Sequence, residues 1–135
     1  MNKKINNKGF SLVELIIVIA IMAILVGVLA PQFIKYVERS RESTDLQNIE
    51  EFKTAVEAAV ADGAFSSATI TLNHSTKKLS CNQDLSEYGL PNASGSKDLK
   101  SGEWAADYTI KYENYKWDIP TGNAKYFNLD GTPHS

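Results

Sequence analysis

The chain has 135 residues, one cysteine and a formal charge of −2 at neutral pH. That length holds one compact domain and one long apolar helix, not two full domains. Lone Cys81 excludes an intrachain disulfide, and with Lys3, Lys4 and Lys8 set aside 11 basic residues face 16 acidic ones, which offers no general field for nucleic acid.

Residues 1–9 are short, polar and positive, the character of a cytoplasmic flank. Every residue from 15 to 30 is apolar or glycine. With residues 10–13 and 33–34 the apolar stretch reaches about 25 residues, roughly 37 Å as a helix, enough for a hydrocarbon core of about 30 Å. A single membrane pass with the N-terminus inside is expected. Val28-Leu29-Ala30 resembles a signal-peptidase site, but the apolar run exceeds the usual h-region and a cut there would fall at the Pro31 bond.

Beyond Pro31 the helical period persists. Leu46, Ile49, Phe52, Val56, Ala59 and Val60 recur at three- and four-residue steps, while Glu50, Glu51, Lys53 and Glu57 fill the opposite face. One helix over about residues 11–62 is predicted, stopped by Gly63 and packing on a head through Ile49, Phe52, Val56 and Val60. Pro31 removes a backbone donor one turn after Gly27, which predicts a kink or weakened turn. The charged run of Glu38, Arg39, Arg41, Glu42 and Asp45 lacks a broad apolar stripe and reads as a bridge between membrane surface and head.

From Ala64 the period changes. Residues 68–72 have strand composition, and residues 73–103 read as an Asn-, Ser-, Gly- and Lys-rich loop with one helical turn near 84–88. Residues 108–112 and 115–119 alternate about a turn at Glu113-Asn114, a hairpin pattern. After a second turn at 120–123, a third strand is expected near 125–129. Tyr108, Tyr112, Tyr115, Trp117 and Phe127 on this sheet would cover the helix, and a sugar- or base-stacking platform is the other use of such aromatics. The fold class is therefore α+β, a long N-terminal helix on a small antiparallel sheet.

Chemistry-bearing clusters are sparse. His74 and His134 have no ligand-spaced partners, Asn128-Leu129-Asp130-Gly131-Thr132 holds one acid where calcium loops gather several, and no nucleophile-base or phosphate-loop pattern occurs. No catalytic residue, metal or cofactor is expected. Cys81 reads as a half-buried filler rather than a bridge or reactive thiol. Lys77-Lys78 and Lys97/Lys100 read as solvated surface. Asn73-His74-Ser75 and Asn92-Ala93-Ser94 fit the glycosylation sequon without other support.

The densest signal is Gly9-Phe10-Ser11-Leu12-Val13-Glu14. An acid inside a membrane helix is costly and marks function. Ser11 and Glu14 also have the spacing of a capping box, which would satisfy the first free amides of the helix. A Gly-Phe-x-x-x-Glu junction between a basic leader and an apolar helix resembles the type III signal of type IV pilins and pseudopilins. The resemblance is specific over residues 1–63 and architectural over the head. It implies cleavage after Gly9 by a membrane prepilin peptidase, N-methylation of Phe10, and retention of the helix in the mature subunit. Glu14 of one subunit is then expected to neutralise the Phe10 amine of a neighbour.

This divides the chain into a leader (1–9), a transmembrane and filament-core helix (10–34), the amphipathic second half of that helix (35–63) and a globular head (64–135). The resemblance implies a structural subunit of a type IV pilus serving adhesion, motility or aggregation. Its implied partners are copies of itself, the peptidase, an assembly ATPase and a membrane platform, with no nucleic acid. Before assembly it would sit in the cytoplasmic membrane with the head outside, and afterwards in a surface filament. The alternatives are a pseudopilin of a type II secretion or DNA-uptake system, a monomeric membrane-tethered binding module and, more remotely, an anchored enzyme.

Overall fold

A computed structural model of the chain describes Gly9, residues 11–90 and residues 96–134. The expectations placed on residues 1–8, on Phe10 and on Asn92-Ala93-Ser94 lie outside the described residues. The chain divides into two compact units, Met1–Val37 and Glu38–Ser135.

Helix α1 spans Leu12–Ala61 and holds 50 residues. Within the first unit its large side chains from Leu12 to Tyr36 each expose half or more of their surface. The stretch is long and apolar enough to cross a membrane, and none of it is buried in the chain. A soluble monomer does not leave so contiguous an apolar surface in water; lipid or other helices must cover it. The helix continues through Gly27 and Pro31. Proline has no amide hydrogen, so the bond that would reach the Gly27 carbonyl is missing from that turn.

In the second unit α1 ends as its sequence specifies. Gly63 adopts φ +80°, a left-handed conformation that costs glycine nothing. Its amide donates to the Val60 carbonyl at 3.0 Å, and the Ala64 amide donates to Ala59 at 2.9 Å. Those two bonds form a Schellman cap that satisfies carbonyls the helix would otherwise orphan.

Five strands follow: β1 (Ala68–Asn73), β2 (Lys78–Cys81), β3 (Lys97–Asp98), β4 (Tyr108–Glu113) and β5 (Lys116–Asp118). They form one sheet in the order β3-β2-β1-β4-β5, antiparallel throughout. On central β1, Ile70 lies opposite Ile110 on one side and Cys81 on the other, and Leu72 opposite Tyr108 and Leu79. Alternation sends Ala68, Ile70 and Leu72 of β1 and Ile110 and Tyr112 of β4 to the buried face. There they share one core with Ile49, Phe52, Ala55, Val56 and Ala59 of α1, and Val60 packs half-buried against it. Full burial of a side chain such as Phe52 or Val56 is worth roughly 2–3 kcal/mol.

Several details depart from the sequence reading. Residues 78–81 and 97–98 are strands rather than loop. The sequence of β2 carries one strong apolar residue, Leu79, and it pairs because the turn after β1 folds it back, with Lys77 held at φ 56°. Residues 125–129 form no strand of the sheet; they contribute isolated bridges, Asn123 with Asn128 and Phe127 with Pro133. Near Asp84 the expected helical turn is a 3-10 turn, Ser86–Tyr88, closed by Gly89 at φ 100°.

The β4–β5 hairpin is shifted by one residue. Glu113 pairs with Lys116, leaving Asn114 and Tyr115 as a two-residue loop with φ values of 53° and 63°, the sense of a type I′ turn. This register sets Tyr112 directly opposite Trp117, ring centroids 4.7 Å apart, and a cross-strand aromatic pair decides between neighbouring registers. Tyr115 therefore lies at the tip and covers no part of the helix, contrary to expectation. Holding a tyrosine in the left-handed region costs about 1 kcal/mol.

Candidate functional site

Helix α1 begins with a built cap. The Glu14 amide donates to Ser11 Oγ at 3.2 Å, and the Ser11 amide donates back to Glu14 Oε2 at 3.4 Å. The Leu15 amide then makes the first regular helical bond, to the Ser11 carbonyl at 3.2 Å. Ser11 is the N-cap and Glu14 the third helical residue, so a carboxylate sits where the helix dipole favours it. Phe10 is not among the described residues, and the expected Phe10–Glu14 contact between subunits is a matter for the function proposed below. Glu14 itself is exposed at the start of the apolar surface.

A second polar constellation lies in the head unit, at the start of its part of α1. Asp45 and Glu42 are completely buried. Asp45 Oδ1 accepts from the Lys100 amide at 2.6 Å, and its Oδ2 accepts from the Ser101 amide at 2.9 Å and from Trp104 Nε1 at 3.0 Å. Glu42 Oε1 accepts from the Tyr126 and Phe127 amides at 2.8 and 3.1 Å. Glu38 accepts from the Ser101 hydroxyl. Three helix carboxylates thus hold two loops, 100–104 and 126–127: Asp45 and Glu42 by backbone amides, with the Trp104 indole and the Ser101 hydroxyl adding side-chain bonds to Asp45 and Glu38.

The charged run expected to bridge membrane surface and head thus places Glu38, Glu42 and Asp45 against loops of the head. Their spacing carried the signal. The steps 38, 42, 45 continue backward the steps 49, 52, 56 of the apolar face, so the same helix stripe turns from oil to acid where it meets loop backbone rather than sheet. Buried amides need acceptors, and carboxylates supply two lone-pair pairs each.

Glu42 is not fully satisfied. Its Oε2 has no partner among the described residues. Burial, first of all, pushes its carboxyl above the usual range; the Tyr126 and Phe127 amides pull it back, and the neighbouring Glu38 charge pushes it up again. Glu42 is therefore harder to ionise than a glutamate in water.

Other candidates resolve as structural parts. Cys81 is half-buried, takes the Gln83 amide at 3.5 Å, and burial pushes its thiol up, away from thiolate reactivity. Asp130 closes its own turn, accepting from the Thr132 amide at 2.9 Å and hydroxyl at 2.6 Å. Trp117 Nε1 donates to Glu57 Oε1 at 2.7 Å, with Lys53 above its ring at 5.4 Å; the polar helix face is thus engaged by β5. Lys97 pairs with Glu51 and Lys78 with Asp98.

A capped apolar helix without an internal cover, carried into a small sheet domain, defines an α+β subunit built to be buried by other molecules. Residues 4–30 match the family described as the prokaryotic N-terminal methylation motif. The chain is similar to prepilin peptidase-dependent protein A of Clostridium perfringens, 30% identical over 120 residues that cover 89% of this chain and 83% of the relative. It is also similar to the type IV major fimbrial protein FimA of Dichelobacter nodosus, 43% identical over 56 residues, 42% of this chain and 36% of that protein. The type IV major pilin protein PilA of Myxococcus xanthus is 45% identical over 49 residues, 36% of this chain and 22% of the relative. No solved structure matches the chain significantly. The chain belongs to the type IV pilin-like (prepilin) family, whose members are structural subunits and not enzymes.

Proposed function

We propose that the chain is a subunit of a type IV pilus, made as a prepilin, cut after Gly9 and polymerised through α1. The observation that carries this is the exposed apolar helix beginning at a Ser11–Glu14 cap directly after the Gly9-Phe10 junction. The prepilin peptidase-dependent relative supports processing of this chain by such a peptidase. An assembly ATPase and a membrane platform are the further partners this reading requires. Before assembly the helix rests in the cytoplasmic membrane with the head outside; afterwards it lies in the core of a surface filament used for adhesion, motility or aggregation.

Within that reading, cleavage creates an α-ammonium at Phe10, and Glu14 of a neighbouring subunit neutralises it as both leave the lipid interface. Stripping one partner from a buried pair costs about 3–5 kcal/mol, repeated at each subunit. The turn at Gly27 and Pro31, one hydrogen bond short, is the place where the helix flexes on assembly. N-terminal sequencing and mass spectrometry of mature protein should find N-methylated Phe10. Glu14→Ala should leave cleavage intact and abolish filaments under electron microscopy. An unprocessed Met1, or normal filaments from the variant, would overturn the proposal.

A further inference from the structure

Outside α1, Tyr115 is the only exposed large apolar side chain among the described residues, 83% open to solvent at the tip of the β4–β5 hairpin. No hydrogen bond or ring contact engages it among the described residues. It also sits at φ 63°, after Asn114 at φ 53°, in a two-residue loop whose preferred sequence is Asn-Gly. Asn114 suits its place, whereas glycine at 115 would relax the backbone. Single exposed apolar residues are ordinary; one held against its backbone preference, with no hydrogen bond or ring contact among the described residues, points to use outside the protein.

We propose that Tyr115 is the stacking residue of a carbohydrate-contact site at this tip, taking the apolar C–H face of a neutral pyranose. The neighbours in the hairpin, Glu113, Asn114 and Lys116, supply a carboxylate, an amide and an ammonium, the donors and acceptors that sugar hydroxyls require. The size of the patch favours a sugar over a protein partner. A stable protein interface covers about 800 Å² on each side, far beyond one ring and its two flanks. Charge favours a neutral sugar over nucleic acid: apart from the leader lysines the chain has 11 basic and 16 acidic residues, and a phosphate backbone gains nothing from such a surface.

One such contact is weak, and repetition makes it useful. Copies arrayed along a polymer convert successive contacts into intramolecular events, and avidity rises by about 10²–10⁴ without a new interaction. The avidity, though not the stacking chemistry, rests on the filament reading above. The test therefore avoids filaments. Full-length chain is reconstituted at fixed density in phosphatidylcholine liposomes and passed over beads bearing galactan, mannan, glucan, poly-N-acetylglucosamine or single-stranded DNA.

Wild-type vesicles should be retained on at least one neutral polysaccharide. Tyr115→Gly should lower that retention at least about tenfold, the loss of a single contact multiplied over many sites, while raising the thermal unfolding midpoint. Tyr115→Phe, which keeps the ring, should be retained nearly as well as wild type. Loss of function with gain of stability separates a contact residue from a structural one. Retention on no polysaccharide, retention on DNA alone, or unchanged retention of Tyr115→Gly overturns the proposal. A Phe variant that behaves like Gly overturns the stacking role. Failure of the chain to form filaments bears only on the proposed function.

Discussion

Glu42 makes the pH response of the head a local matter. Its raised carboxyl pKa, set chiefly by burial, with the Glu38 charge adding to it, has a definite sign. Below the unfolded carboxyl value of about 4.3 both states hold the proton and nothing is lost. As pH rises from there through the raised folded value, the unfolded chain releases its proton first and stability falls. Glu42→Gln keeps an oxygen for the Tyr126 and Phe127 amides and removes the ionisable group. Unfolding of the detergent-solubilised chain should give equal midpoints for variant and wild type near about pH 4 and a higher midpoint for Gln at neutral pH. A variant that loses stability at neutral pH would show that the folded carboxyl pKa is not raised. Asp45 is different in its bonding: its two oxygens receive three donors, the Lys100 and Ser101 amides and Trp104 Nε1.

At the level of elements, α1 was readable almost to its ends, because a 3.6-residue period and a glycine stop are local properties. Leu12–Ala61 falls inside the expected span of about 11–62, and Ile49, Phe52 and Val56 are buried as the period required. The C-terminal cap is a testable part of that element. Gly63→Ala keeps the solvent-exposed surroundings, since nothing lies near the position of its Cβ, but forces alanine to φ +80°. Chemical denaturation should register a loss of about 1 kcal/mol; no loss would mean the cap is not formed in solution. What could not be read locally was pairing between distant segments. Leu79 alone cannot announce a strand, and the one-residue shift of the β4–β5 turn depends on Tyr112 meeting Trp117. The acid stripe at 38, 42 and 45 was legible as spacing, yet charge obscured it, since the donors it serves lie 55 or more residues away.

For the whole molecule, two kinds of surface meet in one chain. The first unit exposes apolar side chains almost continuously from Leu12 to Phe33 and Ile34, and the second buries its own core completely around Phe52, Ile70, Leu72 and Trp104. Alkaline carbonate washing of cell membranes should therefore leave the unassembled chain in the pellet, because removing charge-held proteins does not touch buried hydrocarbon area. Release into the wash would contradict a spanning helix. The sheet order has a further consequence once many heads are crowded together. Its two margins are β3, two residues long, and β5, three residues long, and they carry Lys97 with Asp98 and Lys116 with Asp118. Margins that short and charged are poor templates for a neighbour's backbone. Heads brought side by side therefore have little tendency to zip into shared sheets of the fibril type, which would leave the cohesion of the proposed filament to the apolar surface of α1.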